Sequence, residues 1–218
     1  MRILKINPNK PEKELINIAA DVLKNDSLIV YPTDTLYGIA ANALSKKAVL
    51  NVYKVKGRTF NKPLSIAFHS LSQTKKYVKF NSLALKLAKK FLPGPLTIIL
   101  PMKYRFPKEL TFGSKNVGIR IPDNKIALEL IKECGFPITA TSANISGNKD
   151  PITAKDVAKQ IGDKVDLILD AGKCKYSRPS TVIKVTGNKI KVLRKGVISE
   201  RDIYKLSKIY VVRTTLSK

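Results

Sequence analysis

Apolar positions in this chain follow two rhythms, and stretches of one alternate with stretches of the other. From Pro11 to Lys24, the residues Leu15, Ile16, Ile18, Ala19, Val22 and Leu23 recur at helical spacing. Leu28 to Tyr31 is a continuous apolar run of strand length, stopped by Pro32. Ser45 can cap a helix that continues to about Lys56. Leu64 to Phe68 reads as a strand. Leu83 to Phe91 reads as a helix, ended by the Pro93–Gly94–Pro95 turn. Strands follow at Leu96 to Leu100 and at Val117 to Ile121, the latter closed by Pro122. Asn124 can cap a helix to Glu133, and Pro137 to Thr141 is a further strand. Thr153 can cap a helix to Ile161, before a strand at Val165 to Asp170. Thr181 to Val185 and Ile190 to Leu193 flank T-G-N-K, the pattern of a hairpin. Ser199 caps a last short helix, and residues 2–6 form a first short strand.

Strands and helices mixed in this order predict an α/β fold. A twisted mixed sheet flanked by helices is expected, in a single domain over residues 1–218 with its core at about 10–200. The apolar fraction, 44%, suffices for a packed core and argues against disorder. No stretch approaches the apolar length of a membrane span, and the first residues lack a signal-peptide pattern, so a cytoplasmic protein with no membrane partner is expected.

Charge sharpens this picture. The formal net charge is +25, which favours polyanionic ligands or nucleic acid. Most of it comes from 33 Lys spread over nearly every segment, a pattern that genome composition or a hot habitat produces equally well. The 8 Arg are more selective, and Arg58, Arg120, Arg178 and Arg194 all fall in the polar segments described next. Guanidinium grips carboxylate or phosphate in a two-pronged geometry that ammonium lacks. The two cysteines, Cys134 and Cys174, form no C-x-x-C pair, and Cys134 reads as a space-filler near a helix end.

Several enzyme signatures are missing: there is no G-x-x-x-x-G-K-[ST], no G-x-G-x-x-G and no G-x-S-x-G. His69, the only histidine, stands without a triad pattern and reads as structural. No acidic cluster suggests a metal site, so any metal is expected to be Mg²⁺ arriving with a nucleotide. What remains is a series of polar and basic groups at strand ends. Thr33, Asp34 and Thr35 form a hydroxyl-rich turn, and Lys56, Arg58 and Lys62 follow the next helix. Arg120 sits inside an apolar strand in N-V-G-I-R-I-P, where a buried guanidinium needs an anionic partner. A-T-S-A-N-I-S-G, at 140–147, offers hydroxyls and backbone N–H groups suited to an anion nest. R-P-S-T-V-I and V-L-R-K-G complete the series.

P-T-D-T-L-Y-G, K-G-R-x-x-x-K-P-L, P-G-P-L-T, V-G-I-R-I-P, T-S-A-N-x-S-G, R-P-S-T-V-I and L-R-K-G occur in this order over about residues 10–200. The chain thereby resembles the YrdC-like threonylcarbamoyl-AMP synthase family. The resemblance implies a YrdC-like fold with a basic concave cavity. It also implies synthesis of threonylcarbamoyl-AMP and pyrophosphate from L-threonine, bicarbonate and ATP. The product would serve threonylcarbamoyladenosine formation in tRNA, through a separate transferase. By resemblance, Lys56 and Arg58 carry the chemistry, and Thr35, Arg120, Ala140 and Ser180 hold threonine. Arg120 would pair with the threonine carboxylate. Lys56, Arg58, Lys62, Asn116, Ser142, Asn144 and Arg194 fall to ATP. Relatives commonly have Glu where Asp34 stands and Pro where Thr59 stands, and some archaeal relatives have His where Ala67 stands. Two other readings remain open on the residues alone. One is a double-stranded RNA or tRNA-binding module without chemistry of its own. The other is a carbamoyl-adenylating domain, although the zinc-finger and acylphosphatase regions of such chains are not seen here.

Overall fold

A computed structural model describes residues 2–59 and 62–207. Within them, ten strands form one mixed sheet. In chain order these are β1 (Arg2–Lys5), β2 (Ile29–Tyr31), β3 (Gly38–Ala40), β4 (Ser65–Ala67), β5 (Leu96–Pro101), β6 (Asn116–Arg120), β7 (Ile138–Ser142), β8 (Leu167–Asp170), β9 (Thr181–Thr186) and β10 (Lys189–Arg194). Across the sheet the order is β1-β8-β2-β3-β7-β4-β6-β5-β9-β10. The pairs β1–β8, β2–β8, β4–β6 and β5–β9 are parallel and the others antiparallel, so the expected mixed sheet is present.

The helices are α1 (Lys13–Lys24), α2 (Lys46–Lys56), α3 (Leu71–Tyr77), α4 (Ser82–Phe91), α5 (Lys108–Thr111), α6 (Lys125–Cys134), α7 (Ala154–Ile161) and α8 (Glu200–Ser207). Several caps are those the sequence announces. Ser45 accepts from the Ala48 N–H and Asn124 from the Ala127 N–H, while Thr153 and Asp156 form a reciprocal capping box. Elements not anticipated are β3, α3 and α5. Each has seven residues or fewer, too short for periodicity to declare itself.

Strand alternation divides the core. Ile39, Ile66, Ile98, Ile119 and Ile168 face the larger cluster, where α2, α4 and α7 contribute Val49 and Val52, Leu83 and Leu87, and Val157 and Ile161. On the other face, α1 and α6 pack over Ile29, Tyr31, Ala40 and Leu167, using Ala19, Leu23, Ile126 and Leu130. Cys134 at the end of α6 is buried there, as the sequence suggests. No helix among the described residues is long and apolar enough to cross a membrane.

Candidate active site

The face that α1 and α6 cover is covered only in part. The residues that point to it from the central strands are small or hydroxylic. Ladder pairing sets Ser65 beside Ala140, Gly38 beside Ser142 and Ala67 beside Arg120. Gly118 sits between Ser65 and Thr97. A Cβ there would meet Ser65 Oγ at 2.5 Å and Thr97 Cγ2 at 3.3 Å, so only glycine lets these strands carry both neighbours. A cavity of about 270 Å³ opens over this floor. Its walls include the β2–β3 turn, Arg58, Arg194, Pro179–Ser180 and Asp150.

The β2–β3 turn is built on Thr33. Its hydroxyl accepts from the N–H groups of Thr35 and Leu36, donates to the Leu36 carbonyl, and stands 3.1 Å from Thr35 Oγ1. This holds Thr35 against the cavity, while Asp34 turns inward. There Asp34 Oδ1 accepts from Arg120 Nη2 at 2.5 Å, with side-chain exposures of 0% and 11%. The sequence anticipates an anionic partner for Arg120, and within the protein that partner is Asp34. One oxygen of the carboxylate and Nε of the guanidinium have no partner in this arrangement.

Three arginines reach the cavity from separate elements: Arg58 after α2, Arg120 at the end of β6 and Arg194 at the end of β10. Arg58 donates from Nε and Nη2 to the Lys62 and Pro63 carbonyls, each at 3.1 Å. Arg194 donates from Nε and Nη2 to the Ser180 carbonyl, and from Nη2 to Ser180 Oγ at 3.0 Å. Ser180 Oγ also lies 2.9 Å from Thr97 Oγ1. Burial disfavours the charged form of both Arg58 and Arg194, and the nearby Asp150 carboxylate partly offsets this at Arg194. A cavity with this lining stabilises an incoming anion more than it would a neutral guest.

Lys56 lies just behind the cavity wall. The residue is 2% exposed, and its Nζ donates to the Ser142 carbonyl at 2.5 Å, the Asn144 carbonyl at 2.9 Å and Asn144 Oδ1 at 3.0 Å. All three ammonium donors are occupied by the end of β7 and the loop that follows it. Burial first, then the Arg58 charge, pushes its pKa down to about 7. Asn144 Oδ1 also accepts from Ser142 Oγ, and its Nδ2 donates to the Asn148 carbonyl. Lys56 and the S-x-N pair therefore meet across 86 to 88 residues of sequence, but as the frame of a loop.

The structure brings Thr35, Arg58, Arg120, Ala140, Ser142, Ser180 and Arg194 to one cavity, with Lys56 and Asn144 immediately behind it. It does not bring Asn116 there. Asn116 begins β6, at the opposite end of the strand from Arg120, and borders a separate groove with Lys79 and Lys184. Lys62 is exposed and contributes its carbonyl to Arg58. Arg178 is exposed outside the cavity lining. Among the residues that sequence reasoning did not single out are Thr97, Ser65 and Asp150. Thr97 lies inside the P-G-P-L-T motif, which was a usable signal; Ser65 and Asp150 carried none.

Comparison with known proteins gives the chain its family. A model of the Sua5–YciO–YrdC family, described as "Telomere recombination", matches residues 21–196. The chain belongs to that family. It is 46% identical to a protein of Methanocaldococcus jannaschii named, provisionally, a threonylcarbamoyl-AMP synthase, over 91% of this chain and 93% of the relative. It is 36% identical to the threonylcarbamoyl-AMP synthase of Bacillus subtilis, over 91% of this chain and 57% of the relative. The crystal structure of Pyrococcus abyssi Sua5 complexed with L-threonine superposes with a TM-score of 0.91 at 37% identity, covering 94% of this chain and 61% of that one. The chain thus spans nearly all of one relative and about three fifths of the other two.

Proposed function

We propose that this Sua5–YciO–YrdC chain is an L-threonylcarbamoyladenylate synthase, a nucleotidyl-transferring enzyme. The observation that carries the reading is the meeting of Arg58, Arg120 and Arg194 over a floor of small and hydroxylic residues. The names of its relatives and the threonine bound to its Pyrococcus abyssi neighbour support it.

The proposed reaction needs no nucleophile from the protein. The threonine amine and bicarbonate condense to an N-carboxylate with loss of water. A carboxylate oxygen then attacks the α-phosphorus of ATP, and the bond to the β-phosphate oxygen breaks to release pyrophosphate. The protein's part is to hold two anions in contact and to balance charge as it moves onto the leaving group. Arg120, oriented by Asp34, takes the threonine carboxylate, beside Thr35, Ala140 and Ser180. Arg58, Arg194 and Ser142 take the phosphates, and Lys56 with Asn144 fixes the loop that presents Ser142. Asn116 is left out of this assignment. Magnesium enters as part of the ATP substrate. A separate transferase then moves the threonylcarbamoyl group from the adenylate to tRNA, and AMP leaves.

The test is incubation with MgATP, L-threonine and bicarbonate, following pyrophosphate and the adenylate. Release should require threonine and bicarbonate together. Equal release without threonine, or no release at all from a protein that still binds RNA, would overturn the proposal and favour a binding module.

A further inference from the structure

Residues 35–108 contain fifteen Lys and Arg and no Asp or Glu. Part of this stretch converges on an exposed aromatic ring away from the cavity. The C-terminal end of α3 meets the segment after β5: Val78 bridges Met102, the N–H groups of Lys103 and Tyr104 both donate to the Tyr77 carbonyl, and the Lys79 N–H donates to the Pro101 carbonyl. This pairing sets Lys75, Lys76, Lys79, Lys103 and Arg105, all exposed, on the two joined segments that also carry Tyr104 and its ring partner Tyr77, with Lys103 Nζ donating to the Lys75 carbonyl at 3.2 Å. Among the described residues, none of the five makes an ion pair. Glu109, the first acid after the stretch, is paired with Lys46 at 3.0 Å.

Tyr104 is 44% exposed yet held by aromatic contacts. Its ring lies 5.2 Å from those of Tyr77 and Phe106 at angles of 60° and 62°, while Tyr77 and Phe106 stack on each other at 24°. Neither contact covers Tyr104 with a parallel ring. The cluster is rooted through Tyr77 on Phe68, which faces the larger core, whereas Ala67 beside it faces the cavity.

We propose that Tyr104 and the five cations on these joined segments form an RNA-docking surface. An unpaired base of an RNA loop stacks on the Tyr104 ring, and the flanking phosphates lie on the lysines and Arg105. Uncompensated charge suits any polyanion, but a rigid open ring among the charges suits one whose phosphates alternate with flat bases. An RNA partner is chosen over other base-bearing polyanions because the proposed product is used on tRNA, and to that extent this surface rests on the proposed function.

The experiment measures binding of a fluorescent RNA hairpin with a single-stranded loop, and of a blunt RNA duplex of equal charge, without ATP or threonine. Tyr104→Ala should weaken hairpin binding about tenfold and leave duplex binding unchanged, while Tyr104→Phe stays within about twofold of the parent. Lys79→Ala with Arg105→Ala should weaken both RNAs and reduce the salt dependence. Adenylate synthesis should be unaffected in all of these variants. Parental hairpin affinity in Tyr104→Ala, an equal loss for hairpin and duplex in that variant, or equal competition by polyglutamate would overturn the surface. Failure of the synthase assay with RNA binding intact would count against the proposed function alone.

Discussion

Asp34 Oδ1 and Arg120 Nη2 meet at 2.5 Å beneath the cavity, joining the β2–β3 turn to the end of β6 across 86 residues of sequence. Neither side chain could be buried alone, because an unpaired charge in this setting is far costlier than the pair. The pair fixes the guanidinium while leaving donors that Asp34 does not engage.

Removing either partner should therefore have separable effects. Asp34→Ala should destabilise the fold by about 3–5 kcal/mol in denaturant titration, because Arg120 is left buried and unpaired. Arg120→Ala should also destabilise the fold, because it leaves Asp34 buried and unpaired, and should in addition weaken threonine binding by about 2–5 kcal/mol and ATP binding far less, which Arg120→Lys should not restore. Calorimetry that shows unchanged threonine affinity in Arg120→Ala would remove Arg120 from the threonine site.

Lys56 and Arg58 are two residues apart and should fail in different ways. Lys56→Ala leaves the Ser142 and Asn144 carbonyls and Asn144 Oδ1 without their donor, so a stability loss of about 2–3 kcal/mol is expected together with loss of adenylate formation. Arg58→Ala should change stability by less than about 1 kcal/mol, since its contacts are carbonyls beside solvent, and should raise the KM for ATP. Equal stability losses in the two variants would contradict the distinction between frame and lining.

Lys56 also predicts a pH dependence. Burial lowers its pKa to about 7, below the usual lysine value near 10.5, so from about pH 7 to 10.5 the unfolded chain binds a proton that the folded chain does not. Stability should rise with pH across that window. Below it, both states carry the proton and the full cost of burying the ammonium remains. Comparing urea midpoints of the parent and Lys56→Met from pH 7 to 10 isolates this contribution. Parallel curves would mean that the three oxygen acceptors offset the desolvation completely.

Gly196 should be the least replaceable residue of the L-R-K-G motif. A Cβ there would lie 2.4 Å from Pro179 O, Ser180 C and Thr181 N, all backbone atoms that cannot swing aside. Gly196→Ala should cost about 1–3 kcal/mol. It should also part the segments that join Arg194 to Ser180, lowering synthase activity beyond the stability loss. A variant with parental stability would show that the backbone approach relaxes freely.

Widening a floor residue should do the reverse. Ala140→Val places a β-branched side chain on β7, which suits a strand, and should leave stability within about 1 kcal/mol. The added methyls project into a cavity of about 270 Å³, so threonine-dependent pyrophosphate release should fall sharply. Undiminished release would place threonine elsewhere.

Much of the fold was legible in the chain because its causes are local. The α2 start at Ser45, the α7 capping box at Thr153 and the β9–β10 hairpin at T-G-N-K each depend on residues a few positions apart. Short β3 escaped notice because Gly38–Ala40 pairs with β2 and β7 without a pattern of its own. The cavity arginines were legible for another reason: Arg is scarce here, so its placement carries information that the abundant lysines do not.

By itself the sequence determined the α/β class, most helix and strand positions, and the list of polar residues at strand ends. Which of those residues share a cavity was decided by strand register and order, which pair residues tens of positions apart. β6 carries Arg120 to the cavity and Asn116 away from it because the two occupy opposite ends of one strand. The neighbours of Lys56 were hidden for a related reason. A buried ammonium must find oxygen acceptors, and the tertiary fold supplied three of them from the end of β7 and the loop that follows it, 86 to 88 residues away in sequence.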